Sequence, residues 1–154
     1  MKKVIDFYHR KGFRNAKPST LGKITSAPQI TLLYDNDLQK KAVESMFKHV
    51  VGVTTVHAKR SKELPINTMQ LHTNDFDFKG FPKATVPEAA VSCSILINLR
   101  KDHRLDWYWF GNSYNYRVDL QGDCPLADIT INGPYSLAEK LKTLINYLDK
   151  LQHD

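Results

Sequence analysis

The chain changes its hydrophobic rhythm several times, and each change predicts an element. Gln29, Ile30, Thr31, Leu32, Leu33 and Tyr34 form a β-prone, largely apolar run, the pattern of a buried strand. Asp35, Asn36 and Asp37 then supply a turn and a helix N-cap. Apolar residues next fall at Ala42, Val43, Met46, Phe47, Val50 and Val51. That spacing predicts a helix as far as Val51, with Gly52 as its stop. A second strand over residues 53–58 completes a βαβ unit, which implies parallel strands and a right-handed crossover.

Further along, Met69, Gln70, Leu71 and His72 make a weaker extended piece, followed by Phe76, Phe78 and Phe81 interleaved with Gly80 and Pro82. Residues 91–99 are the strongest strand. Residues 105–112 read as a short helix carrying Trp107, Trp109 and Phe110, and residues 116–120 and 127–131 as two more strands. Ser136 and Glu139 form a capping box for a last helix. Its buried stripe is Leu137, Leu141, Leu144, Ile145, Leu148 and Leu151. Near the start, Val4, Ile5 and Tyr8 share one side of a short helix over residues 2–11. There is no internal repeat. The pattern predicts an α/β fold: a single open, mostly parallel twisted sheet flanked by helices in three Rossmann-like layers. A basic N-terminal helix and arm, residues 1–27, precedes a domain over residues 28–154.

Composition adds little to this picture. With 154 residues, 42% of them hydrophobic, the chain supplies one core without staples. No apolar run approaches the roughly 20 residues of a membrane helix. Met1, Lys2 and Lys3 are not followed by a signal h-region, because Asp6, His9, Arg10 and Lys11 interrupt it. Cys93 and Cys124 show no framework spacing, so a reduced, cytoplasmic setting is expected.

Charge changes the picture. The formal net charge is +6, and all of that excess lies in residues 1–27. Lys2, Lys3, Arg10, Lys11, Arg14, Lys17 and Lys23 stand there against Asp6 alone, while the remaining chain is balanced at fifteen basic and fifteen acidic residues. A basic segment on a neutral body is a tether for a polyanion. Phe7, Tyr8, His9 and Phe13 add flat rings that can stack on bases or fill a crevice. Asn15, Lys17, Pro18, Ser19, Thr20 and Gly22 read as an extended arm rather than a packed element.

Catalytic chemistry is hard to find. The turn at Asp35–Asp37 lacks the glycines of a phosphate-binding loop and carries two acids, so neither a dinucleotide fingerprint nor a P-loop is present. Asp35 and Asp37 have no evident third partner for a metal. His57, His72 and His103 share no ligand spacing with the cysteines. Cys93 lies in an apolar strand, and Ser92, Ser94 and Ser113 lack a nucleophile elbow. No catalytic residue, metal or cofactor is expected. The basic clusters Lys59, Arg60, Lys62 and Arg100, Lys101, Arg104 follow two strands, so parallel strands would bring them to one sheet edge as phosphate contacts. Trp107, Tyr108, Trp109 and Phe110 could stack bases, although at least two of these rings should serve the core.

The basic helix and arm, Ile30 to Asp35, Asn74-Asp75-Phe76-Asp77-Phe78, Phe81-Pro82, Leu96 to Leu99, Ala127 to Ile131 and the Leu-rich last helix also carry a resemblance over nearly the whole length. The chain resembles a family of small Bacteroidota α/β proteins long catalogued without a function, associated with a phylum-specific protein of the large ribosomal subunit. Trp107 to Phe110 departs from that pattern, where smaller residues would be expected. The resemblance implies a non-catalytic component of the ribosome, bound to ribosomal RNA and neighbouring ribosomal proteins, with no membrane partner. On residues alone, two readings stay open beside it. One is a small nucleotide- or sugar-phosphate-binding α/β enzyme with its site at the strand carboxyl ends. The other is a protein-binding module that uses the aromatic patch.

Overall fold

A computed structural model describes residues 16–22, 24, 27–56, 68–72, 95–101, 107–112, 114–122 and 124–152. Strand β1 (Gln29–Leu33) forms where the apolar run predicts it. Asn36 caps helix α1 (Asp37–Glu44) in a complete capping box with Gln39. The helix stops seven residues short of Val51. Strand β2 (His49–Val56) takes up Val50, Val51 and Gly52 instead. These two adjacent valines fit a helix and equally a strand covered on both faces, where they pack on opposite sides, and their branched side chains fit the pleat better.

Gly52 is therefore a strand residue, not a helix stop. A Cβ there would lie 2.8 Å from Lys40 Cε and 2.8 Å from the Tyr34 ring. The missing side chain lets the Lys40 stem and Tyr34 cross the strand closely.

Strands β3 (Thr68–His72), β4 (Ile95–Asn98), β5 (Tyr116–Asp119) and β6 (Ile129–Thr130) complete one sheet in the order β3-β2-β1-β4-β5-β6, and every neighbouring pair is parallel. The order runs outward from β1 to β3, then outward from β4 to β6. That reversal places a topological switch between β1 and β4, as in doubly wound folds.

Period-two alternation sorts the side chains. Ile30, Leu32, Ile95, Ile97, Val118 and Leu120 share one face with Val43 of α1 and with Leu141, Leu144 and Leu148 of helix α3 (Leu137–Gln152). Leu33, Val53 and Leu96 line the other face under Trp109 and Phe110 of the single-turn helix α2 (Trp107–Phe110), with Tyr114 and Cys124. Ser136 caps α3, its hydroxyl accepting the Glu139 N–H at 3.2 Å, and Leu141 and Leu144 are fully buried as the stripe predicts. Trp109 and Phe110 are core residues and offer no platform for bases. No helix among the described residues is long and apolar enough to cross a membrane.

Candidate nucleic-acid interface

Of the thirteen basic residues expected to meet RNA, Lys17, Arg100 and Lys101 are described. Lys2, Lys3, Arg10, Lys11, Arg14, Lys23, Lys59, Arg60, Lys62 and Arg104 lie outside the described residues, as does the helix expected over residues 2–11.

Residues 16–22 form no helix or strand and are exposed or half-buried, yet they are hydrogen-bonded to the body. Lys17 N–H donates to Gly111 O at 3.0 Å, Thr20 N–H to Tyr114 O at 2.9 Å and Leu21 N–H to Asn115 O at 3.0 Å. The Thr20 hydroxyl bonds Asn115 Oδ1 at 2.7 Å, and the Tyr116 hydroxyl donates to Leu21 O at 3.2 Å. Leu21 holds φ at 52°, a left-handed conformation that a leucine adopts only when its surroundings impose it. Ile24 then enters the core beside β1. Residues 17–21 of the basic extension are thus rooted in the domain, because backbone groups of Lys17, Thr20 and Leu21 are met by β5 and the segment entering it.

A side chain that charge counting passes over holds this root. Arg117 is buried within β5. Its Nε donates to Phe110 O at 2.7 Å, one Nη to Ser19 Oγ at 2.9 Å, and the other Nη to Asn112 O at 2.7 Å and to Lys17 O. Ser19 in turn donates to Asp128 Oδ2 at 2.6 Å, and the same oxygen accepts the Arg117 backbone N–H at 2.7 Å. Burial pulls the Arg117 guanidinium below its ordinary value, while Asp128 works in the opposite direction. The guanidinium also faces the Tyr114 ring at 5.8 Å. One signal could have identified it. Tyr116, Arg117, Val118, Asp119 and Leu120 alternate apolar and polar in a strand covered on both faces, so Arg117 and Asp119 must be buried with partners.

At the opposite, carboxyl ends of the strands stand Arg100 and Lys101, directly after β4. Lys101 is exposed. Arg100 is only 7% exposed, and its Nε lies 3.9 Å from Asp35 Oδ1 across the switch between β1 and β4. Arg100 is therefore turned into the sheet edge toward a carboxylate, rather than presented outward as a phosphate contact. Because β2 and β4 are both parallel to β1, the chain leaves them at this same end.

The turn after β1 spends its donors internally. Gln39 Oε1 accepts from Asp35 N–H at 2.7 Å and Asn36 N–H at 3.4 Å, and Asn36 Oδ1 accepts from Gln39 N–H at 3.0 Å. A phosphate at this helix start would have to displace those bonds and approach Asp35 and Asp37. Comparison of the chain with protein-family models, curated proteins and solved structures finds no match.

Proposed function

We propose that this chain is a non-catalytic RNA-binding component of the large ribosomal subunit, which grips ribosomal RNA with its basic extension and meets neighbouring ribosomal proteins with its body. The observation that carries the reading is the segregation of charge: the whole +6 excess sits in residues 1–27, and the rest is balanced. Phosphate contacts by lysine and arginine release counterions, so such a segment supplies most of the affinity and needs no base readout. The ribosomal assignment rests on the resemblance read from the sequence motifs alone. The capped, doubly acidic turn after β1 weighs against the nucleotide-enzyme reading.

Co-sedimentation tests the proposal. The full chain should travel with purified large ribosomal subunits at low salt and be released at high salt. A chain with Lys2, Lys3, Arg10, Lys11 and Arg14 changed to glutamine should stay in the supernatant. A full chain that remains in the supernatant at low salt would overturn the reading, and a melting-temperature rise with a nucleotide would favour the enzyme.

A further inference from the structure

We infer that Arg117 is a positioning residue for the RNA-binding arm, fixing where the basic segment leaves the body without touching RNA itself; this rests on the RNA-binding reading above. Four hydrogen bonds commit its guanidinium to Phe110 O, Asn112 O, Lys17 O and Ser19 Oγ. The side chain is 3% exposed, so a phosphate cannot reach its fork. Those four acceptors come from two stretches far apart in sequence: the root of the arm, and the end of α2 with the segment that links it to β5. Asp128 closes the arrangement through Ser19 and through the Arg117 backbone.

The consequence is entropic. With the root seated, Lys17 is already anchored on Gly111 before RNA binds. With the root free, RNA binding must order residues 16–22 as well. Affinity should then fall while the number of phosphate contacts stays the same. Such a pattern separates a positioning residue from a phosphate ligand, whose removal lowers the salt slope by about one.

The experiment uses the full chain and protein-free large-subunit ribosomal RNA as the probe, with affinity measured across a salt series. Hydrogen exchange is followed at two sets of amides. Thr20 and Leu21 report the root, and Leu99 and Leu120, bonded to Leu33 O and Asn98 O, report the body. Arg117→Gln should expose the root amides, leave the body amides protected, and weaken binding roughly tenfold at every salt concentration, with an unchanged slope. Leu21→Pro, read at the Thr20 amide because proline carries none, should do the same without altering charge, since proline cannot adopt a φ of 52°. It keeps the test open if the first variant does not fold. Lys17→Ala, by contrast, should reduce the slope if Lys17 meets a phosphate. Unchanged affinity with a released root would overturn the inference alone, as would a slope reduced by about one in Arg117→Gln. Absence of binding by the unaltered chain would overturn the RNA reading, and the inference with it.

Discussion

Asn98 and Asp119 face each other across the β4–β5 ladder, and the Asn98 amide donates to the Asp119 carboxylate at 3.1 Å with both residues fully buried. The carboxylate also accepts the backbone N–H groups of Gln121 at 2.9 Å, Gly122 at 3.1 Å and Cys124 at 2.7 Å. Asn98 in turn accepts the Arg100 N–H at 3.1 Å and donates to Arg100 O at 3.2 Å. One buried pair therefore shapes the chain leaving both strands.

Replacing that carboxylate tests its role. Asp119→Asn must turn an amide donor toward a backbone donor. It should cost about 3 kcal/mol, the scale of a lost charge-assisted bond plus an unsatisfied buried group. Urea denaturation of the two proteins measures the difference, and equal midpoints with equal slopes would contradict the assignment.

Gly52 makes a second case. Gly52→Ala places a Cβ 2.8 Å from both the Tyr34 ring and Lys40 Cε, so it should destabilise the fold by about 1–3 kcal/mol through overpacking. Adding Lys40→Ala should recover only part of that loss, because the buried Tyr34 ring remains in the way. Thermal unfolding of the single and double variants checks this. Full recovery would show that the lysine stem alone sets the limit.

Much of the fold was legible in local pattern. Leu141, Leu144 and Leu148 could be placed in the core from the α3 stripe, β1 and β4 from their apolar runs, and β5 from its alternation. The end of α1 was not, since adjacent Val50 and Val51 fit both a helix and a strand covered on both faces, and only pairing with Ile30 and Thr31 decides between them. The strand order was not legible either, because it depends on which edge each long connection returns to. Charge counting found the basic extension but could not tell Lys101, which faces solvent, from Arg100 and Arg117, which are buried. A cation's role is set by its burial and its partners, and those are properties of the whole sheet.

Tyr34 gives the alkaline limb of stability a specific origin. Burial raises its phenol above the ordinary 10.0, and Asp37 and Glu44 push the same way. The neutral ring is favoured in the folded state. Its contribution is therefore complete below the unfolded value and is lost as pH climbs toward and through the higher folded value. Tyr34→Phe removes this ionisation, so above about pH 10 the stability of the unaltered protein should fall more steeply than that of the variant. Denaturation midpoints from neutral to alkaline pH provide the comparison, and parallel curves would contradict the assignment.

Whether the basic extension holds RNA is tested most directly by the salt dependence of RNA affinity in two chains, the full one and one beginning at residue 16. The truncation is placed there because residues 16–22 and Ile24 belong to the folded body. It removes Lys2, Lys3, Arg10, Lys11 and Arg14. For about five phosphate contacts the full chain should give a slope of log K against log salt between roughly −3.5 and −4.5. The shortened chain keeps Lys17 and Lys23, so it should bind far more weakly, with a much shallower slope. Equal affinity and equal slope in the two chains would contradict the account.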